Sequence, residues 1–272
     1  MNDHAIGIFD SGMGGLTVLR ALMARLPEER FVYLGDTARL PYGTKSADTV
    51  TRYAAQAAQA LVKRNIKLLV VACNTASGVA LPALEEVLRP TPVIGVIAPG
   101  AEAAVAAAPQ GPIAVIATEG TVKGGAYVRA IQNHARDIPV VQQACPLFVA
   151  LAEEGLVSGE IATLAAHRYL DPLLATVPHP KALVLGCTHF PALKGVIAEV
   201  AGPRIKLVDS AATTAEAVAQ VLTARGLARA PDAPTRSVFL ATDAPDRFAR
   251  VGEIFLGRAI DPGSVELVDL QA

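Results

Sequence analysis

The chain has no tryptophan, and aromatic residues make up only 4% of its 272 positions. A surface that binds single strands by stacking bases on aromatic rings is therefore not expected. Charge of one sign is also missing. Lysine and arginine number 24 against 25 acidic residues, a formal net charge of −1. No bulk electrostatic pull toward nucleic acid or an anionic membrane follows. Cysteine is scarce, with three residues at 73, 145 and 187. They are too few and too scattered for a disulfide framework, and no CxxC pair supports a structural zinc site or a thioredoxin-like motif. The opening MNDHAIGIFDSG lacks the basic region and long apolar run of a secretory signal. The alanine-rich stretch 101–108 carries Glu102 and stops at Pro109, so it cannot span a bilayer. A cytoplasmic protein without membrane attachment is the expectation.

Against these absences, hydrophobic residues reach 52% and charged residues 18%, as in a compact globular enzyme. Short apolar runs ending in Gly, Asp, Cys or Pro alternate with helical, alanine-rich segments, which predicts an α/β fold with parallel strands buried on both faces. Strands are expected at 5–9, 31–34, 67–72, 93–97, 113–117, 140–143, 182–186 and 205–208. Helical segments are expected at 16–25, 47–64, 76–88, 155–174 and 211–225, with Pro82 ending or kinking the third. A weak internal repeat runs through this pattern: KLLVVACNT (67–75) aligns without a gap on KALVLGCTH (181–189), an offset of 114 residues. Ile8-Phe9-Asp10-Ser11 has a counterpart in Ile116-Ala117-Thr118-Glu119, and 93–97 has one in 205–208. Each half then holds four strands, the third ending in a cysteine. The expected domains are 1–98 plus 210–272, carrying Cys73, and 99–209, carrying Cys187. The segment 228–235, with Pro231 and Pro234, reads as a surface connection.

Ligands of open parallel sheets bind beyond the carboxyl ends of the strands, so two facing halves place both cysteines across one cleft. A single free cysteine is usually a small buried hydrophobe, and Cys145, just before Pro146, is read that way. Two cysteines at matching positions of a repeat, each followed by hydroxyl or amide side chains, point instead to chemistry. Backbone N–H groups at a helix start favour thiolate and attract a carboxylate. Two opposed thiols suit inversion of a stereocentre: one group removes a proton from one face and the other returns one to the opposite face.

The turn DSGMGG (10–15) follows the first strand. No Gly-Lys-Ser/Thr follows, so it is not a P-loop, and Thr17 stands where a dinucleotide fingerprint needs a third glycine. Its glycines serve a tight turn, or Asp10 and Ser11 meet a small polar substrate. Pro41-Tyr42-Gly43 is an ordinary turn or a donor of backbone N–H groups and a phenol. Thr118 and Thr121 cap a helix, bind ligand, or both. His189 lies two residues from Cys187, and Glu153 follows the second strand of its half.

These segments together resemble the glutamate racemases of the aspartate/glutamate racemase family. The resemblance is carried by IGIFDSGMGGLTV (6–18), Gly35-Asp36, PYGTKS (41–46), VVACNTAS (70–77) and PVIGVIAPG (92–100). It continues in ATEGTV (117–122), ACPLF (144–148), LGCTHFP (185–191) and LVDS (207–210), and the tail after 225 adds nothing specific. It implies two similar α/β domains related by pseudo-two-fold symmetry, an active site between them, and neither metal nor pyridoxal phosphate. It implies Cys73 and Cys187 as acid–base catalysts, Asp10 assisting the first and Glu153 and His189 the second. Asp10, Ser11, Pro41, Tyr42, Gly43, Cys73, Asn74, Thr75, Thr118, Thr121, Cys187, Thr188 and His189 would hold the substrate, while Asp36 and Asp209 would support the site from behind or be structural. The implied product is D-glutamate for peptidoglycan and the cell wall, made by an isomerase that forms a homodimer of unspecified geometry. Two departures stand out: Gly124 where serine is expected and Ala150 where proline is expected.

Rival readings are the same chemistry on aspartate, another small amino acid or a hydantoin; a binding module that holds a carboxylate without turnover; and a pyridoxal-phosphate enzyme using one of the lysines. Some members of the family are reported to restrain DNA gyrase, but this near-neutral sequence shows no additional partner surface.

Overall fold

The computed structural model describes residues 3–176, 179–230, 235 and 237–270. From the amino end, β1 (Ala5–Asp10), α1 (Leu16–Arg25), β2 (Phe31–Gly35), α2 (Ala47–Val62), β3 (Ile66–Val71), α3 (Asn74–Val79), α4 (Leu81–Val87) and β4 (Val93–Gly95) form the first half. Helix α5 (Ile97–Ala107) leads to β5 (Ile113–Ala117), α6 (Glu119–Gly124), α7 (Ala126–His134), β6 (Val140–Ala144), α8 (Pro146–Glu153), α9 (Glu160–Thr176), β7 (Ala182–Gly186), α10 (Lys194–Ala201) and β8 (Lys206–Asp209). Then α11 (Ser210–Ala224) leads back to β9 (Ser237–Ala241), α12 (Pro245–Leu256) and β10 (Val265–Leu267).

All strand pairs are parallel. The first sheet has the order β10-β9-β2-β1-β3-β4 and the second β6-β5-β7-β8. The run β2-β1-β3-β4 thus repeats as β6-β5-β7-β8, and the sequence repeat is a repeat of topology. The expectation of four strands per half fails for the first sheet, which gains β9 and β10 from the tail. β10, at the sheet edge, has three residues and gives too little pattern to read as a strand, while β9, five residues paired on both sides, lies in the tail where no motif marks it. The predicted strand 93–97 stops at Gly95, because Ile97 already belongs to α5. Pro82 sits in the first turn of α4, where its missing N–H costs nothing, and the predicted helix 76–88 is divided at Ala80. The predicted helix 155–174 begins only at Glu160, since Gly155 and Gly159 take positive φ. Part of the connection read at 228–235 lies outside the described residues.

Side-chain alternation explains why the strands read as unbroken apolar runs. Ile6, Ile8, Leu68, Val70, Ala114, Ile116, Leu183 and Leu185 enter one continuous core spanning both halves. Phe9, Leu69 and Val71 face a separate core under α2, and Ile113, Val115, Ala117 and Val184 face another under α5 and α7. Each central strand is therefore apolar on both faces. Ser46 caps α2 by accepting from the Thr49 N–H (3.3 Å), and Asp209 caps α11 by accepting from the Ala211 N–H (2.9 Å). Among the described residues no helix is long and apolar enough to cross a membrane.

Gly35, the last residue of β2, lies against the turn that follows β1. A Cβ there would stand 2.3 Å from the Gly12 carbonyl oxygen. Gly35→Ala should lower the melting temperature by several degrees, given about 1–3 kcal/mol of overpacking and about 2–4 °C per kcal/mol at this size. Gly124, by contrast, ends α6 with nothing within 4 Å of its added Cβ. Gly124→Ser should leave the melting temperature within about a degree of the parent, as the half-buried position has open space for a side chain.

Candidate active site

The site is built at the carboxyl ends of β1, β3, β5 and β7. β1 ends in Asp10, whose buried Oδ2 accepts from the Gly12 N–H (3.0 Å), while Oδ1 meets no donor among the described residues. Cys73, just beyond β3, is the N-cap residue of α3, and its Sγ lies 3.6 Å from the Ser11 hydroxyl. Burial pushes the Cys73 thiol up to about 12 and the Asp10 charge adds to this; the Ala76 N–H and the Ser11 hydroxyl oppose it. Burial likewise raises Asp10, against the pull of His189 and of the Gly15, Gly12 and Ser11 N–H groups.

Cys187 follows β7 but does not open an α-helix. Thr188 and His189 form a turn, then a 3₁₀ segment over Phe190–Leu193, and only then α10. The expected helix start is absent on this side, and an imidazole stands in its place. His189 Nδ1 lies 3.8 Å from Cys187 Sγ, and Nε2 lies 3.1 Å from Glu153 Oε1. Burial pulls His189 down, but its contacts to Cys187 and Glu153, with the Asp10 charge nearby, outweigh this and hold it at about 10. Burial raises Glu153, but His189 and Arg247 outweigh that and keep it below the usual carboxylate range.

Close contacts join the halves. The Thr17 hydroxyl donates to the Thr188 carbonyl (3.0 Å), and the Tyr127 hydroxyl donates to Asn74 Oδ1 (2.7 Å). Asn74 Nδ2 is buried without an acceptor among the described residues. Thr75 Oγ1 lies 3.0 Å from Thr118 Oγ1 and 3.2 Å from Thr121 Oγ1, which are themselves 3.0 Å apart. A Cβ on Gly14 would stand 2.4 Å from His189 Nδ1 and 2.5 Å from Thr188 Oγ1; one on Gly15 would stand 2.5 Å from the Asp10 Cβ. Neither glycine has positive φ, so close approach is what they provide, rather than a special turn conformation.

Thus Asp10, Ser11 and Cys73 come together on one side, Cys187, Thr188, His189 and Glu153 on the other, and Asn74, Thr75, Thr118 and Thr121 between the halves. Gly43 abuts Thr118, its added Cβ 2.7 Å from the Thr118 Cβ, and so lies beside the threonines. Pro41 precedes the 3₁₀ turn that carries Tyr42 and Gly43. The Tyr42 hydroxyl is committed elsewhere: it donates to Asp36, which also accepts from Arg39 Nε (2.7 Å) and from the Thr242 hydroxyl (3.0 Å). Tyr127, Arg247 and Phe255 escaped the sequence reading, which named Thr17 without a role in the site. The tail supplies two of them, with Arg247 Nη2 donating to Glu153 Oε2 (2.8 Å) and the Phe255 ring edge-on to His189 at 5.0 Å. Cys145 is fully buried, with Sγ 3.6 Å from the Gln143 carbonyl oxygen. Among the described residues no group of three or more His, Cys, Asp and Glu is arranged to hold a metal ion.

Residues 16–218 match the family described as Asp/Glu/Hydantoin racemase. A glutamate racemase of Geobacter metallireducens is 51% identical over 268 residues, covering 98% of this chain and 97% of its own. The structure of a Francisella tularensis glutamate racemase in complex with D-glutamate superposes with a TM-score of 0.91, at 37% identity and 99% coverage of both chains. A Bacillus anthracis glutamate racemase superposes with a TM-score of 0.93, at 36% identity and 99% coverage of both. With its repeat of topology and a cysteine beyond the third strand of each unit, the chain belongs to the glutamate racemase family, among the aspartate, glutamate and hydantoin racemases.

Proposed function

We propose that the protein interconverts L- and D-glutamate by two-base proton transfer, with Cys73 and Cys187 acting on opposite faces of the α-carbon. The observation that carries this reading is the equivalence of the two cysteines. Each lies just beyond the third strand of a matching unit, and each is 5% exposed. One sulfur, as thiolate, takes the α-proton, and the opposite thiol delivers its own proton to the other face. The return reaction exchanges the roles. Each direction therefore needs one thiolate and one thiol.

Asp10 assists at Cys73, where the substrate ammonium would offset the burial and the carboxylate charge that hold the thiol neutral. His189, oriented by Glu153, assists at Cys187. The Thr75, Thr118 and Thr121 hydroxyls with Asn74 Nδ2 are suited to the substrate carboxylate, and Ser11, Thr188 and the Pro41–Gly43 turn complete the binding set. In this reading residues 1–98 plus 210–272 and residues 99–209 are the two domains, and the site lies between them. The protein works as a homodimer in the cytoplasm and makes D-glutamate for peptidoglycan.

Pure protein incubated in deuterated water with L-glutamate should yield D-glutamate carrying deuterium at the α-carbon, with L-aspartate incubated separately as the comparison substrate. Cys73→Ala and Cys187→Ala should each lower racemisation by at least about 10²–10⁴-fold, the range of one acid–base group. Conversion of aspartate alone would change the substrate, and no exchange in either would leave a binding module.

A second expectation concerns proton affinity. The His189 value of about 10 lies above the unfolded value of about 6.5, so its stabilisation is complete below about pH 6.5 and is lost as pH rises through 10. The Glu153 contribution has the opposite sense and is lost as pH falls through its lowered folded-state value. The melting-temperature advantage over His189→Asn should therefore shrink between pH 7 and 10. In Glu153→Gln the imidazole titration seen by NMR should move from about 10 toward about 6.5; an unmoved midpoint would show that Glu153 does not set it.

A further inference from the structure

Helix α12 belongs by its connections to the first sheet. It lies between β9 and β10 in the chain and packs along α1. Two of its side chains nevertheless reach the acid–base relay of the second half. Arg247, in its first turn, donates from Nη2 to Glu153 Oε2 (2.8 Å), and Phe255 sets its ring edge-on to His189 at 5.0 Å and 74°. The two oxygens of Glu153 are thus divided, Oε1 to His189 at 3.1 Å and Oε2 to the guanidinium.

Glu153 needs that partner. It is the last residue of α8, where the carbonyl end of the helix dipole disfavours an anion, and it is only 13% exposed. A guanidinium on the far oxygen offsets both penalties and fixes the plane of the carboxylate through a charge-assisted bond. The Cys73 side has a different arrangement, with Asp10 held by the Gly12 N–H at the end of β1.

We propose that Arg247 is a positioning residue for the Cys187 half of the reaction: by holding Oε2 of Glu153 it keeps Oε1 on His189, and His189 on the Cys187 sulfur. This rests on the two-thiol reading above. Because α12 lies with the first sheet and α8 with the second, the pair also makes the Cys187 relay complete only when the two halves are together.

The thermodynamics of racemisation equalise kcat/KM in the two directions, so rates alone cannot assign Arg247 to one face. Primary isotope effects can. Weakening one base makes its proton removal more rate-limiting, so the effect measured with α-deuterated substrate rises for the enantiomer that base deprotonates and falls for the other. Cys73→Ser and Cys187→Ser provide the two reference patterns. Arg247→Met keeps the aliphatic stem and removes the charge. It should lower kcat about tenfold, the scale of one lost charged hydrogen bond, with an unchanged circular dichroism spectrum. Its isotope effects should move in the Cys187→Ser sense, and Arg247→Lys should recover part of both changes. Isotope effects equal to the parent's, or moved in the Cys73→Ser sense, would overturn the assignment of Arg247 while leaving the two-thiol reading intact. Reference variants that fail to shift in opposite senses would overturn the two-thiol reading and the assignment with it.

Discussion

The candidate active site depends on how closely the loop after β1 can approach the loop after β7. Gly14 lies where a single methyl group would strike both the imidazole of His189 and the hydroxyl of Thr188. Thr17 then ties the same turn to the Thr188 carbonyl. This contact brings the two strand ends together, and the continuous core beneath both sheets backs it with apolar area. Without that approach, each half would present a cysteine at the end of a sheet, with no opposing group.

The repeated units do not provide identical chemistry. Cys73 opens a helix and is flanked by a hydroxyl and a buried carboxylate, and both burial and that negative charge hold its thiol neutral. Cys187 lies in a turn and has an imidazole instead, held protonated by Glu153 and its surroundings. A reaction between mirror-image molecules needs two opposed acid–base groups but does not require the same support behind each. Duplicated topology sets the placement, and local substitutions beyond the strand ends set the proton affinities.

Much of this was legible in the sequence. Apolar runs made eight of the ten described strands visible, most clearly the central ones buried on both faces, and the gapless alignment of KLLVVACNT on KALVLGCTH located both thiols. The β9 and β10 strands were not, since both lie in a tail without a motif and β10 is a three-residue edge strand. The direction of the Tyr42 hydroxyl was equally hidden: it donates to Asp36, on which Arg39 from the same loop and Thr242 from the distant tail also converge. Arg247 and Phe255 were missed for the same physical reason: on an amphipathic helix an arginine and a buried phenylalanine are ordinary, and only the packing of α12 against α8 gives them a role. His189 and Glu153 were identified through the family resemblance; their hydrogen bond across 36 residues of chain is a tertiary feature.

In the proposed site, the three threonine hydroxyls bear on how a substrate carboxylate enters and leaves. Oxygens at 3.0–3.2 Å around a closed triangle let each hydroxyl give its one proton to the next, so none is left unsatisfied. An arriving anion needs donors, and rotation about each C–O bond can turn those protons outward while the oxygens stay in place. The triangle is then a self-satisfied store of donors in one state and a set of outward-facing donors in the other. Exchange between them requires no side-chain displacement, so the polar floor of the cleft avoids the penalty that an unpaired buried hydroxyl would otherwise impose.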